Sequence, residues 1–196
     1  MAEGTLKAGC HLLIQVLGAP LPVRQPTSLI SLNNCICTPS CLQIGLEKAF
    51  DTVNEKEQLV LVDLIAALAQ RGVVPADDLR EGVSILTEQL ADIALDIPSA
   101  PRLLGRLLGA AAASGLLGLD VVAAQATPVE SAEPRRVFVA AALAAVQQGG
   151  GDAKLKALVA DGGMKLEHLI AHDPEFDGDL PTAADFLRCQ GLGFLV

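Results

Sequence analysis

From Ile44 onward apolar residues return every three or four positions, the period of a helix that buries one face. Between Glu55 and Arg71, Leu61, Leu64, Ile65 and Leu68 stand at i, i+3, i+4 and i+7, and Gly72 ends the pattern with Arg71 suitably placed in the last turn. That spacing predicts a helix. A second is predicted to open at Pro75, with Asp77 and Asp78 at its positive N-terminal end and Leu79, Val83, Leu86 and Leu90 as its buried stripe. A third carries Leu103, Leu104, Leu107, Leu108 and Ala111, while Gly105 and Gly109 leave room for another helix to come close, at some cost in helix propensity. Val, Ile and Thr nowhere alternate with polar residues for long. The predicted class is therefore all-α, with short connections that make neighbouring helices antiparallel hairpins.

The two ends of the chain read differently. Residues 1–40 contain Pro20, Pro22, Pro26 and Pro39 among Ser, Thr and Asn, which predicts an irregular leader with at most a short helix near Leu12 to Leu17. Residues 41–126 form the main helical unit. Thr127 to Pro134, with two prolines and two glutamates, reads as a linker, and 135–196 as a helical C-terminal extension. Helices are predicted there at about Arg135 to Gln148, Ala153 to Ala160, Lys165 to Ala171 and Ala183 to Cys189, with Gly149, Gly150 and Gly151 separating the first two. No heptad pattern persists and no period repeats, so neither a coiled coil nor a long solenoid is expected.

Composition narrows the function classes. Of 196 residues 51% are hydrophobic, enough for a sizeable core, and only 3% are aromatic, with no Trp or Tyr, which suits helices packed through Leu and Ala. The formal charge of −9, from 23 acids against 14 bases, opposes nucleic-acid backbones and favours a basic protein partner. No direct nucleic-acid binding is expected. The uncharged run from Leu107 to Leu119 stops at Asp120, short of the roughly 20 residues a spanning helix needs, so no membrane insertion is expected. The apolar run from His11 to Gly18 behind Lys7 is interrupted by His11 and Gln15, so no secretory leader is expected either. Five cysteines is an odd number, and Cys35, Cys37 and Cys41 stand too close for separate bridges. Reduced thiols and a cytoplasmic location follow as expectations.

The candidate site is the segment DIALDIPSAP, Asp92 to Pro101. Pro98 biases Ile97 away from helical angles, so Asp92 and Asp96 are expected not to stack on one continuous helix, and both prolines fit the first turn of the helix that follows. Asp96 or Ser99 is a candidate cap for that helix. A cap explains at most one of the two acids. A catalytic acid pair needs a cleft with substrate-binding groups around it, and His11, His168 and His172 all lie far off in sequence. An exposed acidic loop that pairs with Arg or Lys of a partner accounts for both charges. Metal sites fare less well. Cys35, Cys37 and Cys41 lack a paired CxxC arrangement, and the calcium-like run from Asp173 to Ala184 has Ala184 where the bidentate Glu belongs. His168 and His172, one turn apart, have no third ligand at hand. No metal or other cofactor is expected, and no enzymatic activity; a thiol- or carboxylate-dependent enzyme is the distant alternative.

These residues also carry a resemblance. DIALDIP, with LREGV before it and LLGRLLG after it, resembles the second half of the MA-3 domain, the helical module of the translation initiation factor 4-gamma scaffold and of related translational repressors. Gly82 and Val83, then Asp92, Leu95, Asp96, Ile97 and Pro98, follow the family pattern. IGLEKAFD is similar to the helix ahead of this unit. LKALVADGGMKLEHLI and AADFLRCQGLGFLV resemble the stretch that follows the domain in the 4-gamma scaffold, so the likeness runs over about 42–196. It departs in two places: the family's first helix pair is not recognisable in 1–40, and Leu107 stands where the family often has Phe. The resemblance implies a HEAT-like stack of antiparallel helix pairs that binds the DEAD-box RNA helicase called initiation factor 4A, alongside other translation initiation factors. By the same resemblance Asp92 and Asp96 are the contact residues and Pro98 fixes the loop. MA-3 proteins of splicing or ribosome biogenesis supply an alternative setting for the same fold.

Overall fold

The structure, a computed structural model, describes residues 39–52, 54–171 and 180–195, and every regular element among them is helical. The leader up to residue 38, with Cys10, His11, Cys35 and Cys37, lies outside the described residues, as do His172 and the run 173–179. The elements are α1 (Pro39–Asp51), α2 (Glu55–Gln70), α3 (Ala76–Thr87), α4 (Leu90–Asp96), α5 (Ala100–Ala113), α6 (Leu119–Ala126), α7 (Ala132–Asp161), α8 (Leu166–Leu169) and α9 (Ala183–Cys189), with a 3-10 turn at Gly193–Leu195. Among the described residues no helix is long and apolar enough to cross a membrane.

The fold is a stack of helical hairpins whose shared core runs from Leu42 and Leu46 of α1 through Leu79 and Val83 of α3 and Leu104 and Leu108 of α5 to Phe138 and Leu143 of α7. Two hairpins, α2 with α3 and α5 with α6, turn by the same device. Gly72 takes φ 71° and Gly115 φ 78°, a left-handed conformation that glycine adopts without strain. The N–H of Val73 then returns to the Leu68 carbonyl at 2.9 Å and that of Leu116 to the Ala111 carbonyl at 3.0 Å, closing a helix end that would otherwise leave carbonyls unpaired. An aspartate, Asp77 or Asp120, then sits in the first turn of each returning helix. This repeat was not expected. It shows only in the turns, RGVVPAD against SGLLGLD, because the buried positions of the two hairpins hold different side chains.

Several element boundaries differ from the periodicity reading. Helix α1 starts at Pro39, because proline fits a first turn whose N–H needs no partner. On α2 the buried face is Gln58, Val62, Ile65, Ala66, Leu68 and Ala69, while Leu61 and Leu64 are half-buried. That helix is wedged between α1 and α5, so its apolar arc is wide and the two leucines sit at its margin. Leu90, placed by periodicity on the stripe of α3, belongs to α4. Pro134 lies in the first turn of α7, so that helix begins at Ala132 rather than Arg135, and Gly151 (φ 75°, ψ 173°) divides it into segments 132–150 and 152–161.

Polar side chains hold the joints. Asn54 caps α2 by accepting from the Lys56 N–H at 3.0 Å and donating to Glu57 at 3.2 Å. Asn54→Ala is expected to lower stability by about 1 kcal/mol, seen as a lower urea midpoint at unchanged slope. Buried Gln58 donates to the Phe50 and Thr52 carbonyls at 3.3 and 2.8 Å, tying the end of α1 to α2. Between α3 and α6, the hydroxyl of buried Thr87 donates to Gln125 Oε1 at 2.7 Å.

The C-terminal helices pack directly on the hairpins. Helices α5 and α7 run side by side in the same direction, Gly105 against Phe138 and Gly109 against Ala142. A Cβ on Gly105 would lie inside contact distance of the Phe138 carbonyl oxygen and 3.0 Å from Ala141 Cβ; one on Gly109 would lie 2.8 Å from the Ala142 carbonyl carbon. The close approach anticipated for these two glycines is thus a backbone-to-backbone contact. Beyond the kink, Lys154 Nζ donates to the Ala113 carbonyl at 2.6 Å. Arg135 and Arg136, at the start of α7, reach the last segment: Arg135 donates to the Leu169 and Ala171 carbonyls at 3.0 and 2.8 Å, and Arg136 to those of Ile170 and Pro181, both at 2.6 Å.

Candidate functional site

Seven residues, LADIALD, form α4, which links the two hairpins. Leu90 is fully buried and Ile93 and Ile97 pack half-buried against the core, which fixes the rotation of this short helix. Asp92, Leu95 and Asp96, at i, i+3 and i+4, are therefore turned to solvent on one face.

Asp92 and Asp96 share one helix, which corrects the expectation that they would not. Pro98 restricts only the residue before it: Ile97 takes φ −130° and ψ 81°, while its N–H still bonds to the Ile93 carbonyl at 2.8 Å and completes the last turn. The helix thus runs through Asp96. Capping is corrected too. Ser99 occupies the cap position of α5 but makes no side-chain cap bond, Pro101 lies in the first turn, and exposed Pro98 precedes the cap instead of joining the helix.

Neither Asp92 nor Asp96 has a hydrogen-bond or ion-pair partner among the described residues. Asp96 stands at the negative end of the α4 dipole, where a carboxylate costs roughly 0.3–1 kcal/mol. Neither packing nor capping within the described residues offsets that cost. The neighbouring charges are already used: Arg106 meets Asp63 with two bonds of 2.8 and 2.9 Å, and Arg102 pairs with Glu55, so α5 is strapped to α2. Donating to the Asp63 carboxylate raises the Arg106 pKa above its ordinary value.

Other clusters offer less. A groove of about 250 Å³ between α2, α5, α7 and α9 is floored by Ala140, Ala141 and Ala144 and bordered by Arg102, Arg106 and Phe186. Both arginines there are occupied by their acids. His168 and Cys189 are exposed, and no group of three His, Cys, Asp or Glu among the described residues is placed to share a metal ion. The side chain of Cys41 lies outside the described set, as does most of the calcium-like run.

Residues 33–118 match the family model described as the MA3 domain, a stretch that takes in α1 to α5 and the whole α4 face. Over that stretch the chain is similar to MA3 domains. Such domains are helical protein-interaction modules, which supports a protein partner in general, and the all-helical stack is consistent with their HEAT-like arrangement. No curated protein matches the chain. Within the matched stretch, the sequence marks Asp92, Asp96 and Pro98. It does not mark Leu95 as exposed, although the helical spacing 92, 95, 96 places it beside the acids.

Proposed function

We propose that this chain is a translation-initiation scaffold or regulator module that docks on a DEAD-box RNA helicase of the initiation factor 4A kind, in the cytoplasm and alongside other initiation factors. The observation that carries this reading is the exposed pair Asp92 and Asp96, without partners among the described residues, on α4 of the stretch that matches the MA3 model. The two carboxylates are offered to Arg or Lys of the helicase, and Pro98 fixes the exit of the chain from α4. A net charge of −9 steers such a basic face toward the domain. Residues 41–126 are the binding unit in this proposal and 135–196 a supporting extension. The chain performs no chemistry itself; its effect is on the helicase's conformational cycle.

Titrating purified helicase against the chain and an Asp92→Ala, Asp96→Ala variant tests this. Affinity is expected to fall roughly tenfold or more per carboxylate, and the difference to shrink as salt rises. Equal affinity for both forms, or no binding by either, overturns the proposal.

A further inference from the structure

We infer that the docking face is not purely acidic: Leu95 is an apolar anchor of the same site, and the partner surface it fits is an apolar pocket beside two cations. This rests on the docking role proposed for α4 and adds to it the residue that supplies affinity without charge.

Leu95 is 82% exposed, against 42% for Ile44 and 66% for Val60, the other large hydrophobic side chains called exposed among the described residues. Its neighbours in the helix are buried or half-buried toward the core: Leu90 on one side, Ile93 and Ile97 on the other. The helix therefore has an inward apolar stripe complete without Leu95. Leu95 lies on the opposite face, one turn from Asp92 (i, i+3), which in turn adjoins Asp96 (i, i+4), so the three side chains form one solvent-facing arc. A single exposed leucine is ordinary. Its position next to two carboxylates that lack partners among the described residues is what gives it a direction.

The chemistry of the complementary surface follows from the face itself. Two carboxylates one helical turn apart select two basic groups at matching spacing, and charge pairs of this kind fix register as well as adding salt-sensitive affinity. A leucine beside them can be buried only in a pocket without polar lining, because otherwise polar groups of the partner would lose water without replacement. Such an anchor, rimmed by charged contacts that exclude water, is the usual arrangement of an energetic centre in a protein interface. A second copy of this chain is a poorer fit, because its α4 would bring carboxylates against carboxylates.

The experiment measures affinity for the factor 4A helicase at low and high salt, for the full chain, Leu95→Ala, Leu95→Gln and the Asp92→Ala, Asp96→Ala variant. Both Leu95 variants are expected to keep the thermal midpoint of the parent, because the side chain is exposed and both residues suit a helix. Their affinity is expected to fall roughly tenfold to thirtyfold, from loss of a buried leucine, and that loss is expected to persist at high salt while the aspartate effect fades. If the aspartate variant weakens binding and the Leu95 variants do not, the anchor is refuted and the docking proposal stands. If the parent chain fails to bind, the docking proposal falls and the anchor with it. A shift in oligomeric state with unchanged helicase affinity would assign Leu95 to self-association and overturn the inference.

Discussion

Replacing both Gly105 and Gly109 with alanine is expected to cost stability, even though alanine is the better helix former by about 1 kcal/mol at each position. Each new methyl would be driven into the backbone of α7, at the carbonyls of Phe138 and Ala142. A flexible side chain could rotate away, but a carbonyl in the middle of a helix moves only if the helix moves. Overpacking of cores costs roughly 1–3 kcal/mol per site, and a rigid backbone neighbour puts these sites at the upper end, before the propensity gain is subtracted. The net loss expected for the pair is about 4 kcal/mol, a large share of the 5–15 kcal/mol typical of a domain. Urea unfolding measures it directly. An unchanged or raised midpoint would show that α5 and α7 do not touch through these glycines. A Gly115→Ala variant, strained by a positive φ with nothing near its Cβ position, separates turn strain from crowding, since its cost does not depend on α7.

Those glycines were legible as places of close approach, though not which helix approaches. The partner proved to be α7, from the far side of a proline-rich segment that reads as a linker. Between α6 and α7 only residues 127–131 lie outside helix. Pro134 did not delay α7 because a first-turn N–H has nothing to lose. Periodicity located α3 and α5 well, since Leu79, Val83, Leu103, Leu104, Leu107 and Leu108 are all fully buried. It placed the stripe of α2 less well, since packing on two sides makes the position of the largest leucines a poor guide to rotation.

The site shows the same division. Two acids and a proline stood out because they interrupt an apolar text, and their exposure followed from the anchoring of Leu90, Ile93 and Ile97. The reach of Pro98 was overread: its restriction falls on one residue, which left α4 intact through Asp96. Leu95 could not stand out in a chain where leucine is everywhere. Only the rotation of α4, set by tertiary packing, separates a surface leucine from a core one.

Arg136→Met is expected to release the last part of the chain while leaving the hairpins folded. The side chain is 2% exposed, donates to the Ile170 and Pro181 carbonyls, and stacks its guanidinium 5.1 Å from the centre of the Phe186 ring. Methionine keeps most of the volume but none of the donors, so two carbonyls lose charge-assisted partners worth about 1.5–3 kcal/mol each. Lysine would restore the charge without the planar fork that reaches two carbonyls at once, so Arg136→Lys is expected to recover little. Arg135, half-buried and spread over the Val129, Leu169 and Ala171 carbonyls, is expected to matter less on substitution. Hydrogen exchange is the discriminating measurement. In Arg136→Met the amides of Ile170, Phe186 and Leu192 should lose protection by roughly two orders of magnitude, the fold-change of about 3 kcal/mol. Those of Val73 and Leu116, in the hairpin turns, should keep theirs. Equal loss at both sets would mean that the end of the chain and the hairpins unfold as one unit, and the arginine would then be a core residue of the whole stack rather than the clamp on its last segment.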